Sequence, residues 1–238
     1  MIRNRAGGKL AQVLLFSLCS FCSLCFCLAI GAATISGAEA AAIDLDSIGS
    51  WRDLNAVGKF SHGDSFRTYQ FELTNGSKAS LFVAELSKWN VVPAINSPTA
   101  PTTVAVDREL AVAGINGGFF NLSNGESTSY VVIDGKQVTE PRSNQALVGN
   151  PKLKPYLETI FNRSELRIVS DNDGRPGLVI APHNAPLAKN QRLVGSIQGG
   201  PRLLPDLTDE AEAFLRKNAD GTAVDSIGSR RTAARTAI

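Results

Sequence analysis

The chain has 238 residues, with 24 basic and 22 acidic side chains, 43% hydrophobic and 19% charged residues, and a mean hydropathy near zero. That length and balance accommodate one globular domain and exclude a polytopic membrane protein and a disordered tail. Gly 21 and Pro 11 against 7% aromatics favour many turns and a strand-rich body.

Residues 1–40 read as an export signal. Arg3, Arg5 and Lys9 give a positive start, Val13 to Ile30 carries no charge, and Ala38-Glu39-Ala40 fits an A-x-A cleavage site before Ala41. All four cysteines, Cys19, Cys22, Cys25 and Cys27, lie inside the apolar run. Their spacing is faintly that of a cluster site. Their position makes them small hydrophobes of a segment bound for the bilayer. No lipobox precedes any of them. The run at 11–33 is also about as long as a spanning helix needs, so an uncleaved membrane anchor is the alternative. Setting aside three basic residues and Glu39 leaves 21 charges of each sign, and no cysteine, in the mature chain. A disulfide framework and a thiolate metal site are thereby excluded, and neither a metal nor a cofactor is expected. The basic excess belongs to the signal, so no nucleic-acid partner is expected. Membrane contact is expected only through the N-terminal segment, and the location is periplasmic or extracellular.

Residues 41–65 form a lead-in with an amphipathic piece around Trp51 to Val57. Tyr69, Phe71 and Leu73 alternate with Gln70, Glu72 and Thr74 as in a half-buried strand. Asn75-Gly76 is a two-residue hairpin signal, and Ala79 to Leu86 supplies the returning strand. Pro93, Pro98 and Pro101 mark a loop, and Thr103 to Leu110 reads as a short helix. The apolar run Ala111 to Ile115 reads as a central strand ending in Asn116-Gly117-Gly118. Tyr130 to Ile133, a turn at Asp134-Gly135 and Lys136 to Thr139 read as a second hairpin. Pro155 to Phe161 is read as helical. Leu166 to Val169, Leu178 to Ile180 and Leu193 to Ile197 are further short strands. Thr208 to Asn218 has the strongest helix signature, with Thr208 as cap, Asp209 and Glu210 in its first turn and Arg216 and Lys217 in its last. The expected fold is α+β: a single strand-rich domain over residues 66–238, with a mixed twisted β-sheet and a few short helices.

The two histidines, His62 and His183, stand in no nucleophile or metal motif and read as ordinary loop residues. The glycine pairs carry more information. Asn116-Gly117-Gly118-Phe119-Phe120-Asn121 follows an apolar run directly. Adjacent glycines let a ligand approach the main chain, and exposed amides can hold an anionic oxygen. The aromatic pair can stack on a sugar, or it can belong to the core. Gln198-Gly199-Gly200-Pro201-Arg202 ends a second strand-like run, which points to a cleft shared by the two turns, with Arg202 as a phosphate donor or a solvated cation. The third stretch, Gly228 to Ile238, carries Arg230, Arg231 and Arg235, able to bind phosphate or to remain a solvated tail.

These stretches together resemble the phosphodiester glycosidase family, which includes the enzyme that uncovers mannose 6-phosphate by removing N-acetylglucosamine from a phosphodiester. The matching pieces, in the family order, are Ala113 to Phe120, the Tyr130 to Lys136 hairpin, Gln198-Gly199-Gly200-Pro201 with Leu203-Leu204, and Arg235-Thr236-Ala237-Ile238. The stretch from Asn150 through Asn162-Arg163-Ser164-Glu165 looks most like bacterial, and within them cyanobacterial, members. The resemblance covers about residues 66 to 238. It implies an exported enzyme that hydrolyses sugar-1-phosphodiester linkages in envelope or exopolysaccharide glycans. Asn116, Gly117, Gly118, Phe119, Asn121, Gln198, Gly199, Gly200 and Arg202 are then expected to bind sugar or phosphate. Arg231 and Arg235 would neutralise the phosphate, with Thr236 in support. Asp134 and Glu126 lie near the first motif but read as solvated. No nucleophile or general acid is assigned. The family pattern continues past Ile238 with a glycine, further strands and a D-G-G-x-S-like segment, so the activity is expected of the complete protein. The alternatives are a non-catalytic exported glycan-binding or envelope-associated protein, and an inactive fragment.

Overall fold

The computed structural model describes residues 2–4, 49–53, 66–73, 76, 78–84, 86–96, 99–218, 220–229, 231 and 236–238. The cysteines, the cleavage site, the apolar run, His62 and Arg235 lie outside the described residues.

The chain is α+β. Strands β1 (Ile2–Asn4) and β5 (Trp89–Val91) form one ribbon, and β2 (Gly49–Asp53), β3 (Phe66–Leu73) and β4 (Lys78–Ala84) form a three-stranded sheet. Part of the expected lead-in is therefore a strand of a sheet. The largest sheet has the order β7-β6-β10-β8-β9, with β6 (Val131–Ile133), β7 (Lys136–Thr139), β8 (Ser164–Asp171), β9 (Pro176–Pro182) and β10 (Gln191–Gln198). A last ribbon pairs β11 (Leu215–Lys217) with β12 (Ala223–Asp225). Every pair among these strands is antiparallel, so among the described residues the sheet is antiparallel where a mixed one was expected. Connectivity dictates this for β6–β7 and β8–β9, which are joined by tight turns that link only antiparallel neighbours. In the first of these turns Asp134 and Gly135 take φ 51° and 73°, the left-handed pair that this hairpin type needs.

Among the described residues three short α-helices accompany the sheets: α1 (Thr102–Arg108), α2 (Gln145–Val148) and α3 (Leu157–Phe161). Asn144 starts α2 by accepting the Leu147 N–H at 3.2 Å, while its amide nitrogen donates to Ser127 O at 3.2 Å. Phe66, Trp89, Val112 and Ala113 form one core, with the Phe66 and Phe82 rings stacked at 5.0 Å. Tyr130, Leu147, Ile160 and Phe161 form the second, which holds α2 and α3 on the large sheet.

Two further expectations are corrected. Ala111 to Ile115 forms no strand of a sheet among the described residues. Ala111, Val112 and Ala113 are buried, and Val112 and Ala113 pack against Phe66 and Trp89, while Ala113 makes an isolated bridge and Ile115 is exposed, so burial accounts for the first three residues of the run. The expected helix 208–218 makes one turn only. Glu212 N–H donates to Thr208 O at 2.8 Å, and then Ala213 turns left-handed at φ 56°. Phe214, 1% exposed, enters the core instead, and Leu215–Lys217 pairs as a strand. Turn chemistry outweighed helix propensity. Gly221 takes φ 81°, and Asp220 Oδ1 accepts the Thr222 N–H at 2.8 Å, closing a hairpin that withdraws Leu215 onward from any helix.

Candidate functional site

Strand register decides which residues share a face of the large sheet. Gln198 lies opposite Glu165, Ile197 opposite Leu166 and Ser196 opposite Arg167. The Gln198 amide donates to the carbonyls of Ile160, Phe161 and Arg163 at 3.3, 2.9 and 3.3 Å, which puts α3 on that residue's face. Gly117 packs against the Ile197 side chain, which puts the first glycine turn on the other face.

The two glycine turns meet. A methyl group on Gly118 would stand 2.8 Å from the Gln198 carbonyl oxygen and 2.9 Å from Ser129 Cβ, so only glycine lets the first turn lie on the end of β10. Phe119 continues the contact: its N–H donates to Ser129 Oγ at 2.9 Å, and its ring lies 5.4 Å from that of Phe214. Phe214 in turn flanks Gly200, whose φ is 90°. The third motif joins through Thr236, whose hydroxyl donates to Asn116 Oδ1 at 2.7 Å across 120 residues of sequence.

Among the described residues the N–H groups of Gly117, Gly118 and Gly200 have no hydrogen-bond partner, whereas Gly199 N–H donates to Ser164 O at 3.0 Å. The first three are therefore available to a ligand. Several expected ligand groups are otherwise engaged. The Gln198 side chain is buried and bound to three carbonyls. Asn121 Oδ1 accepts the N–H and hydroxyl of Ser123, shaping its own turn. Arg231 N–H donates to Gly228 O at 2.8 Å. Arg202 N–H donates to Thr208 Oγ1 at 2.8 Å, while its Nε is buried without a partner among the described residues. Glu126 and Asp134 are exposed, as expected.

Glu212 and Arg163, which received no role from the sequence, organise this region. Glu212 is buried and accepts from Ser164 N–H at 3.0 Å, Ser164 Oγ at 2.7 Å, Arg202 N–H at 3.3 Å and the Thr208 hydroxyl. It packs directly against Gly200. Arg163 Nε donates to Glu212 O at 2.8 Å, and its guanidinium lies 3.7 Å over the Phe214 ring. Burial pushes its pKa down to about 10, with Glu212 opposing and Arg216 adding to the shift. The group is charged at neutral pH. The one available sequence signal was the polar Asn162-Arg163-Ser164 run leading into a buried strand. Its partners are 48 to 50 residues away, so no local pattern reveals them.

A second polar cluster lies on the opposite face. Glu165 and Arg167 are both buried and paired at 2.7 Å. Arg167 also donates to Ala185 O, Pro182 O and His183 O at 2.7, 2.9 and 2.7 Å. His183 Nδ1 lies 2.9 Å from Glu165 Oε2, and its ring stacks on Tyr130 at 3.8 Å with an interplanar angle of 1°. His183 is thus a packed member of this cluster rather than an ordinary loop residue. A cleft of about 380 Å³ lies between the Val91 to Ile95 loop, Arg108, Glu109 and the sheet residues Ile133, Ile168 and Gly195. None of the expected substrate-binding residues lines it. Among the described residues no group of three His, Cys, Asp or Glu could hold a metal ion, and no helix is long and apolar enough to cross a membrane.

No known protein family, curated protein or solved structure matches the chain.

Proposed function

We propose that the chain is an exported phosphodiester glycosidase that hydrolyses sugar-1-phosphodiester linkages in envelope or exopolysaccharide glycans. The observation that carries this reading is the Thr236 to Asn116 hydrogen bond, which joins the last motif to the first beside Gly117 and Gly118. Three motifs far apart in sequence converge around unpartnered backbone N–H groups. Such groups favour an anionic oxygen, because the amide dipoles point at it without reorganisation. Phe119, partly exposed and backed by the buried Phe214 ring, provides apolar ring surface beside them.

In the proposed reaction water attacks the glycosidic carbon and the carbon–oxygen bond to phosphate breaks. The hydroxyl joins the sugar, and the phosphate leaves as a monoester carrying the remaining proton. The phosphate is already a stable anion, so the demand for a strong general acid is small. Gly117, Gly118 and Gly200 would hold the phosphate oxygens, and Asn116, oriented by Thr236, would hold the sugar or the departing oxygen. One observation favours a non-catalytic exported glycan-binding protein instead: both oxygens of Glu212, the carboxylate against Gly200, are already engaged.

The test is incubation of the full chain with an N-acetylglucosamine-1-phosphodiester and measurement of free sugar. Turnover is expected, and T236A should lower it about five- to tenfold, the worth of one orienting hydrogen bond. A folded protein that binds the diester without releasing sugar would favour the second reading. One that neither binds nor hydrolyses it would reject both.

A further inference from the structure

Each of four arginines among the described residues lies beside a carboxylate: Arg108 by Glu109, Arg142 by Glu158, Arg167 by Glu165 and Arg175 by Asp173. Arg163 differs. It is partly buried, yet no carboxylate stands at ion-pair distance from it among the described residues. Its guanidinium is held by neutral acceptors, Glu212 O at 2.8 Å and Ala213 O at 3.3 Å, and by the face of Phe214. The Glu212 carboxylate itself is turned to Ser164, Thr208 and the Arg202 N–H.

The surroundings carry both signs of charge, with the buried Glu212 carboxylate attracting Arg163 and Arg216 repelling it. Arg202 Nε and Arg216 Nε are both buried without a partner among the described residues, and Arg216 repels Arg163 enough to depress its pKa further. A partly desolvated cation with no direct ion pair, held by carbonyl dipoles and a ring face and only at a distance by the Glu212 charge, is stabilised when an anion binds it directly. The position suits a ligand. The carbonyl of Arg163 accepts from Gln198, and that of Ser164 accepts from Gly199 N–H, so the arginine sits at the base of the second glycine turn. Its guanidinium carbon is 5.9 Å from the Phe119 ring of the first. Nη1 has no partner among the described residues.

We propose that Arg163 recognises the anionic group of the ligand, a phosphate ester carried on a sugar. The guanidinium is fixed by stacking and by the two carbonyls, leaving Nη1 to donate to a phosphate oxygen alongside the free glycine N–H groups. The proposal rests on the sugar-phosphodiester reading of the site.

The test is titration calorimetry on the full chain with three probes: inorganic phosphate, N-acetylglucosamine-1-phosphate and N-acetylglucosamine. Wild type should bind the sugar phosphate more tightly than either other probe. R163Q should weaken the sugar phosphate about tenfold or more and leave the neutral sugar unchanged. R163K, which keeps the charge and loses the planar fork, should fall between. If far-UV circular dichroism shows R163Q unfolded, R163K decides. Equal binding of the sugar phosphate by wild type and R163K overturns the proposal, as does loss of neutral-sugar binding to the same extent. Phosphate binding as tight as that of the sugar phosphate overturns the sugar-borne source. Arg163-dependent binding without hydrolysis supports this inference and rejects the glycosidase. Hydrolysis with a KM that R163K leaves unchanged does the reverse.

Discussion

Replacing Gly118 by alanine separates the geometry of the glycine turns from their mere presence. The new methyl would meet the Gln198 carbonyl oxygen at 2.8 Å, Ser129 Cβ at 2.9 Å and Ser129 Oγ at 3.0 Å. The first contact is about 0.6 Å inside ordinary van der Waals range, on the steep repulsive side of the potential. Relief cannot come from a flexible side chain, because the oxygen belongs to backbone at the end of β10. Gln198 is anchored there on both sides, by N–H to Tyr130 O at 2.9 Å and by its amide to three carbonyls. The turn must therefore lift off the sheet, at a cost of about 1–3 kcal/mol, the usual range for overpacking. For a domain of this size that lowers Tm by roughly 2–4 °C per kcal/mol. Gly199 is the control. A methyl group there meets nothing within 4 Å, and its φ is not left-handed. G199A should be neutral or stabilising by about 0.4–1 kcal/mol, through the unfolded chain. Urea unfolding followed by circular dichroism measures both, and sugar release or sugar-phosphate binding measures the site. G118A should lose stability and ligand together, and G199A should lose neither. Equal stability of the two variants would refute the argument that Gly118 is required by close approach to β10.

The cluster on the opposite face should respond more strongly. E165A leaves Arg167 buried with only neutral acceptors, and a loss of about 3–5 kcal/mol is expected in urea unfolding, with less for E165Q. Hydrogen exchange at residues 183–185 should accelerate in E165A, because Arg167, which tethers that segment by three carbonyls, loses its own carboxylate anchor. Glu140 predicts a pH effect. Burial resists ionisation of its carboxyl, but hydrogen bonds from Arg142 N–H at 3.0 Å and Gln137 Nε2 at 2.8 Å outweigh it and hold the pKa below the usual value. Its contribution is therefore present above the ordinary carboxylate range and is lost as pH falls through the lower folded value. E140Q should flatten the acid side of a stability–pH curve and cost about 1 kcal/mol or less at neutral pH, since the group is partly exposed.

The local elements were legible where backbone chemistry is local. Asp134-Gly135 dictated its own hairpin, and the alternation through Tyr69 to Thr74 marked β3 correctly. Thr208 to Asn218 misled because every helix signal was present while the deciding contacts, Phe214 in the core and the turn at Asp220-Gly221, came from outside the segment. The glycine turns were legible as loops that admit close approach, and they do meet, although only the second stands at the end of a strand. Arg163 and Glu212 were not legible, since their roles exist only through partners about fifty residues away. Glu165 and Arg167 were hidden for another reason. Strand β8 is buried on both faces, so two inward charges at alternate positions interrupt no hydrophobic pattern that a reader would expect to see.

The outer strands of the five-stranded sheet have a consequence for association. Among the described residues, β9 and β7 are its two ends, and each presents backbone groups to whatever approaches. β9 begins at Pro176 and ends at Pro182, neither of which has an N–H to donate. An incoming strand would find a pairing frame interrupted at both ends. β7 is only four residues long and opens with exposed Lys136. Short length, charge and missing donors are all features that discourage strand-to-strand aggregation, so the sheet resists growth into a fibre-like ladder without any extra segment to cover its rims.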